Sequence, residues 1–93
     1  MYYKNRFPFL QIENYEINEE VVKTIPETIC REYQVIGIDK FNEPNFKILT
    51  IGIVNPLQKG VQEKIEQITG YKVLSFTINI ESWTNKLNEI FLK

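Results

Sequence analysis

Few residues of this sequence belong to the types that perform catalysis. The chain has no histidine, a single cysteine (Cys30), a single aspartate (Asp39) and only two serines. Histidine is the commonest general base and a frequent metal ligand, so a Ser–His or Cys–His nucleophile pair cannot be built here. The glutamates fall on predicted helices or in turns, where carboxylates usually face solvent. We therefore predict no catalytic residue, no metal site and no enzymatic activity.

Phosphate-binding motifs are also absent from the sequence. It contains neither the G-x-x-x-x-G-K-[ST] loop nor the G-x-G-x-x-G turn, so we predict no cofactor. The formal charge is −1, and only Arg6 and Arg31 carry guanidinium groups. Nucleic-acid surfaces usually combine a basic field with interleaved aromatic residues. Nucleic acid is therefore not a predicted partner.

The 93 residues are enough for one domain with a modest core. No apolar run approaches the roughly 20 residues of a membrane span, and the N-terminus lacks the apolar stretch of a signal peptide. We predict a cytoplasmic protein that does not insert directly into a membrane. Cys30 cannot form an internal disulfide and is predicted to be a small buried apolar side chain.

The sequence predicts two regions, an extended N-terminal arm at residues 1–16 and a single domain at residues 17–93. The arm is rich in aromatic residues and has no helical period. Large aromatic side chains either pack on their own domain or anchor a partner. Four of them are the predicted partner-binding residues, Tyr2, Tyr3, Phe7 and Phe9.

The domain begins with two short helices, of which the first is capped by Asn18 and the second follows Pro26. Two strands come next, over residues 35–41 and 46–54, and residues 42–45 form the turn between them. Asn55 and Pro56 have the chemistry of a helix start, so the next helix is predicted to begin there. Its apolar stripe consists of Leu57, Val61, Ile65 and Ile68.

That helix is predicted to end at Gly70 in a left-handed conformation. A third strand at residues 71–78 places Leu74, Phe76 and Ile78 on one face, and a last amphipathic helix buries Trp83. The second strand is apolar on both faces and is predicted to be central. Gly52 within it suggests a bulge or the close approach of a neighbouring element.

The predicted fold class is α+β, an α/β sandwich in which helices pack on a three-stranded sheet. The element order is α-α-β-β-α-β-α. The first two strands are expected to pair as a hairpin. The second and third strands flank a helix, and this crossover is right-handed if they are parallel.

An ordered set of motifs resembles the N-terminal domain of type II secretion and type IV pilus assembly ATPases. The motifs are Ile25-Pro26-Glu27, Arg31-x-Tyr33-x-Val35-Ile36, Leu49-x-Ile51-Gly52-Ile53-Val54-Asn55-Pro56 and Thr69-Gly70. The resemblance runs from about Phe9 to the end of the chain. Members of the family use this domain to tether a cytoplasmic hexameric ATPase to the inner-membrane platform of its machine, and a subset binds cyclic di-GMP.

The resemblance implies a non-catalytic docking or regulatory domain whose partner is the cytoplasmic domain of a membrane platform protein. The ATPase core does not occur in this sequence, so ATP hydrolysis is not expected. The Arg-Leu-Gly repeats that carry cyclic di-GMP contacts in the binding subset are absent too. We therefore predict that cyclic di-GMP is not a ligand. A nucleotide-sensing module, a free-standing adaptor and a self-associating module are the alternatives.

Overall fold

Four α-helices and three strands follow one another along residues 9–92, the part of the chain that this computed structural model describes. The order is the predicted one, and the α+β class is confirmed. A 3-10 turn comes first, at Ile12–Asn14. The other elements are α1 (Glu19–Val22), α2 (Glu27–Tyr33), β1 (Val35–Glu43), β2 (Phe46–Ile53), α3 (Val61–Thr69), β3 (Lys72–Thr77) and α4 (Ile80–Phe91).

The three strands form one mixed sheet in the order β1-β2-β3. Strands β1 and β2 are antiparallel and form the predicted hairpin, whereas β2 and β3 are parallel and joined through α3. Strand β2 is therefore central, as its apolar character on both faces predicts. One face of β2 is buried along Leu49, Ile51 and Ile53, and Val73 of β3 pairs beside Leu49 on that side. We call this the covered face.

Two glycines allow elements to approach the sheet closely. A Cβ atom built on Gly37 would lie 2.7 Å from the carbonyl oxygen of Val21, so α1 rests directly on β1 there. A Cβ on Gly52 would lie 2.8 Å from side-chain atoms of Ile78. The predicted close approach at Gly52 is confirmed. A bulge is also present, but it lies in β1, where the register shifts between Gly37 and Asp39.

The predicted start of α3 at Asn55 is wrong, because the helix begins at Val61. The Asn55 side-chain oxygen accepts a hydrogen bond from the Leu57 amide at 3.1 Å, but the chain forms only turns there. Gly60 has φ +78°, a left-handed conformation that interrupts any helix. Leu57 is 77% exposed and Ile68 is 43% exposed, so only Val61 and Ile65 of the predicted stripe are buried.

The predicted caps at Asn18 and Gly70 are well formed, and Asn79 forms a further cap that was not predicted. Gly70 ends α3 with φ +78°, as expected. Asn18 accepts a hydrogen bond from the Glu20 amide at 2.7 Å, and Asn79 accepts one from the Glu81 amide at the same distance at the start of α4. Helix α4 is the longest helix, with 12 residues. Within residues 9–92, no helix is long and apolar enough to cross a membrane.

Replacing Asn79 by alanine is expected to lower the free energy of unfolding by about 1 kcal/mol, because the α4 cap is lost. Urea denaturation followed by circular dichroism measures the change. Asn85→Ala, at an exposed position within the same helix, is the control and is expected to stay within about 0.5 kcal/mol of wild type. Equal losses in the two variants would contradict a capping role.

Candidate functional site

The sheet face opposite the covered face carries apolar side chains that no other element hides completely. Side chains alternate along a strand, and partners across a pair share a face. The register places Phe41 beside Ile48, Thr50 beside Leu74 and Gly52 beside Phe76. We call the following apolar set the open face: Phe41, Phe46, Ile48, Leu74 and Phe76.

Exposure on the open face is greatest toward the hairpin. Phe46 is 58% exposed and Leu74 is 51% exposed, while Phe41 is also exposed. The rings of Phe41 and Phe46 meet edge to face, with their centroids 5.7 Å apart. Contiguous exposed apolar groups of this kind often mark interaction surfaces. The open face can bury apolar surface against a partner, but it offers no group for bond making.

A cationic cluster lies beside the first residues of β3. The ammonium groups of Lys40 and Lys47 each lie 5.9 Å from the ring centroid of Tyr71. Lys40 also donates a hydrogen bond to the Thr24 hydroxyl at 3.1 Å. Among residues 9–92, neither ammonium group has a carboxylate partner within ion-pairing distance. We call Lys40, Lys47 and Tyr71 the lysine–tyrosine cluster.

Polar contacts join the segment before α1 to α4. Lys86 donates to the carbonyl oxygen of Tyr15 at 3.0 Å, and the Ser82 hydroxyl donates to the Glu13 carboxylate at 2.9 Å. A cleft of about 460 Å³ lies next to these contacts, lined in part by Glu89. The serine and the lysine are already used in holding the two segments together, so this region supports the fold.

Cys30 is fully buried, and its thiol lies 3.7 Å from the carbonyl oxygen of Ile25 as a weak hydrogen-bond donor. Burial raises the pKa of the Cys30 thiol to about 12, since a thiolate there would lose its hydration. Only the thiolate is a good nucleophile. The predicted role of a buried apolar side chain is confirmed.

The raised pKa of Cys30 predicts a pH-dependent stability. Above pH about 9 the thiol loses its proton in the unfolded chain but keeps it in the folded protein, so stability falls as the pH rises toward 12. The slope contributed by this group is at most about 1.4 kcal/mol per pH unit. Urea titrations at pH 8 and pH 10 check it, with Cys30→Ala as the reference. The wild-type free energy of unfolding should fall about 1 kcal/mol further than that of the variant, and parallel behaviour would contradict the prediction.

Three of the four predicted partner-binding residues, Tyr2, Tyr3 and Phe7, lie outside the described residues. Phe9 is 58% exposed, and its backbone pairs with Thr77 at the C-terminal end of β3. The Leu10 amide donates to the Thr77 carbonyl oxygen at 2.9 Å, which extends this contact. Partner binding by the four aromatic residues stays a prediction, as does the domain boundary at residue 16.

The sequence profile of the MshEN domain matches residues 5–91. The chain belongs to the MshEN domain family. This domain is the N-terminal domain of type II secretion and type IV pilus ATPases, so the predicted resemblance is confirmed. It is distinct from the catalytic ATPase domain of those proteins.

The solved structures include a similar fold. The structure of MshE with cdg superimposes with a TM-score of 0.80 and 13% sequence identity, covering 95% of this MshEN domain. The match covers 61% of the MshE chain, so this domain spans less than two thirds of that neighbour. At this identity the likeness shows the fold. No curated protein sequence matches the chain.

The prediction that cyclic di-GMP is not a ligand is wrong. The neighbour that shares the fold of this MshEN domain is MshE with cdg, which is cyclic di-GMP, and this points to a nucleotide ligand. The prediction relied on scarce arginine and on missing Arg-Leu-Gly repeats. Those features do not exclude a nucleotide, because lysine also binds phosphate and aromatic rings also stack on bases.

Sequence reasoning missed both surfaces described above. Only the open face had a partial signal, since the alternation places Leu74 and Phe76 on a common face of the third strand. The alternation could not show that this face is left open near the hairpin. Lys40 and Tyr71 are far apart in the sequence and meet only because β3 returns parallel to β2.

Proposed function

We propose that this MshEN domain is a non-catalytic regulatory module that binds cyclic di-GMP in the cytoplasm. The observation that carries the proposal is the shared fold with MshE, whose structure contains cdg, over 95% of this chain. Binding would raise the stability of the domain, because a ligand that binds only the folded state stabilises that state. The residue inventory agrees with this mechanism, since it offers ammonium groups and aromatic rings but no histidine.

A thermal unfolding series tests the proposal. The melting temperature is measured with increasing cyclic di-GMP, and with GTP and ATP as comparison ligands at equal phosphate concentration. At a ligand concentration of about 100 Kd the stabilisation should reach about 2.7 kcal/mol. A rise that depends on cyclic di-GMP and is smaller for GTP and ATP supports the proposal. An unchanged melting temperature at millimolar cyclic di-GMP would overturn it.

Protein docking is the second candidate function, and the exposed open face favours it. Phe41, Phe46 and Leu74 form an apolar surface that a partner would remove from water, and aromatic residues often dominate binding energy. In this alternative, the domain tethers its ATPase to the inner-membrane platform of a secretion or pilus machine. A stable interface needs roughly 800 Å² on each partner, so the surface would extend beyond these three side chains.

Capture of the purified platform protein's cytoplasmic domain tests this second candidate. Phe46→Ser combined with Leu74→Ser is expected to weaken capture at least about tenfold if the open face is the interface. Leu57→Ser is the matched control, because Leu57 is exposed and lies on the loop before α3. Retention of capture by the double variant would show that the open face is not used.

A further inference from the structure

We propose that two copies of this chain associate through the open face, with β1 of each copy lying over β3 of the other. The apolar side chains of the open face would form the centre of this contact. The inference goes beyond the proposed function, because association of two copies needs no nucleotide. A platform protein on the same face is the competing occupant, and the experiments below separate the two.

Charged side chains flank the apolar set, and the two flanks have opposite signs. Asp39 and Glu43 of β1 pair with open-face positions of β2, so both carboxylates lie on the β1 side of the open face. Lys72 of β3 pairs with Ile48, which places its side chain on the β3 side of the same face. All three charged residues are exposed. The open face is therefore acidic along one margin, apolar in the middle and basic along the other margin.

This distribution is self-complementary about a two-fold axis that runs along β2. A half-turn about that axis stacks two open faces and places β1 of each copy over β3 of the other. Asp39 and Glu43 of one copy then lie near Lys72 of the second copy, and the same pairing recurs at the opposite margin. Among the described residues, none of these three side chains forms an ion pair within its own copy. An axis across the strands would instead place carboxylates over carboxylates, which like-charge repulsion disfavours.

The edges of the sheet are less available than its open face. Strands β1 and β3 are the outer strands, and unpaired backbone groups on outer strands tend to pair with other chains. On β1, the Lys40 amide donates to the Asp39 carboxylate at 2.9 Å. On β3, the Val73 amide donates to the Glu66 carboxylate at 3.0 Å. Side chains thus occupy backbone donors on both outer strands, which favours contact through the face over extension of the sheet.

The size of the open face sets the strength of the association. The six residues of β3 span about 20 Å and the three strands about 14 Å, so the face measures roughly 300 Å² in projection. A standard interface buries roughly 800 Å² on each partner. The edge-to-face pair of Phe41 and Phe46 adds the aromatic surface that often dominates binding energy. We therefore expect a weak dimer that forms at high micromolar concentration.

Sedimentation equilibrium of the purified chain, from about 10 μM to about 1 mM, tests the association. Wild type is expected to pass from monomer toward dimer over this range. Phe46→Ser combined with Leu74→Ser should weaken association about tenfold or more. Leu57→Ser is the control, because it replaces an exposed leucine on the loop before α3, and it should stay within about threefold of wild type. A monomer throughout overturns the second copy as occupant, and species larger than a dimer overturn the two-fold arrangement, because such an interface closes at two copies.

Charge exchange tests which strands face each other. Lys72→Glu alone and Glu43→Lys alone each bring like charges together at both margins, so each should weaken association about fivefold or more. An equimolar mixture of these two variants restores opposite charges at both margins and should associate within about threefold of wild type. Lys64→Glu makes the same charge change at an exposed position of α3 and should have no such effect.

All of these substitutions lie at exposed positions, so the circular dichroism spectra are expected to match wild type. If Lys72→Glu associates like wild type, or if the mixture is no better than its two components, the placement of β1 over β3 is overturned. Neither result changes the melting temperature with cyclic di-GMP, so failure of this inference and failure of the proposed function are distinguishable.

Discussion

Replacing Trp83 by alanine is expected to lower the free energy of unfolding by about 3–5 kcal/mol. Trp83 is only 8% exposed and belongs to the hydrophobic core of the described residues. Its indole N–H also donates to the Val35 carbonyl oxygen at 2.9 Å, which joins α4 to the start of β1. Domains of this size are stable by roughly 5–15 kcal/mol, so the variant should be partly unfolded near 37 °C. Urea denaturation followed by circular dichroism gives the measurement, since Trp83 is the only tryptophan available for fluorescence.

Trp83→Phe separates the hydrogen bond from the packing. Phenylalanine keeps most of the apolar ring but leaves the Val35 carbonyl oxygen without its donor, which costs about 1–3 kcal/mol. The alanine variant should therefore lose clearly more stability than the phenylalanine variant. If phenylalanine is tolerated without loss, the indole bond contributes nothing, and the account of how α4 is anchored would be wrong.

Gly37→Ala is expected to destabilise the domain by about 1–3 kcal/mol through overpacking. The added methyl would lie 2.7 Å from a backbone oxygen, that of Val21, so α1 or β1 must move to accept it. Helix α1 has only four residues and has little internal stability with which to resist displacement. Thermal and urea unfolding of the variant measure the effect.

Gly52→Ala provides the contrasting case. There the new methyl would meet side-chain atoms of Ile78, so Ile78→Ala should relieve the clash and the double variant should lose less than the sum of the two single variants. Trimming Val21 to alanine should not rescue Gly37→Ala, because the obstructing atom belongs to the backbone. Equal rescue in both pairs would contradict the proposed difference between the two sites.

The regular parts of the fold were predictable from local chemistry. Alternating Leu49, Ile51 and Ile53 in β2 predicted a strand with a buried face, and all three are in the core. The caps at Asn18 and Gly70 follow from side-chain oxygen geometry and from the low cost of a left-handed glycine. These features depend on a few neighbouring residues, so the sequence carries the necessary information.

The loop before α3 could not be assigned from such local rules. Asn55 has the correct chemistry for a helix start, yet a long-range bond dominates: the Gln58 amide group donates to the Tyr33 carbonyl oxygen at 2.8 Å. That contact joins the loop to the end of α2 and holds residues 55–60 in turns. Gly60 then permits the left-handed step from which α3 begins at Val61. Only the tertiary fold brings Tyr33 and Gln58 together.

Neither of the two candidate surfaces could be predicted from the sequence, because each depends on the tertiary fold. Leu74 and Ile78 occupy equivalent alternating positions, but Leu74 is 51% exposed and Ile78 only 2%. Periodicity shows that two side chains share a face and does not show which part of that face another element covers. The lysine–tyrosine cluster has no sequence signature, because its members meet through a parallel crossover. The number of arginines in the sequence therefore does not decide whether a nucleotide binds.

The contacts between the first described residues and α4 have a consequence for how the protein is made. Ser82 and Glu13 are 69 positions apart, and Lys86 and Tyr15 are 71 positions apart. The β1–β2 hairpin needs only neighbouring residues and can form while translation continues. Glu13 and Tyr15, although synthesised early, cannot make these two contacts until α4 has been synthesised. These two contacts therefore close a loop of about seventy residues, which can happen only after nearly all of this fold has been translated.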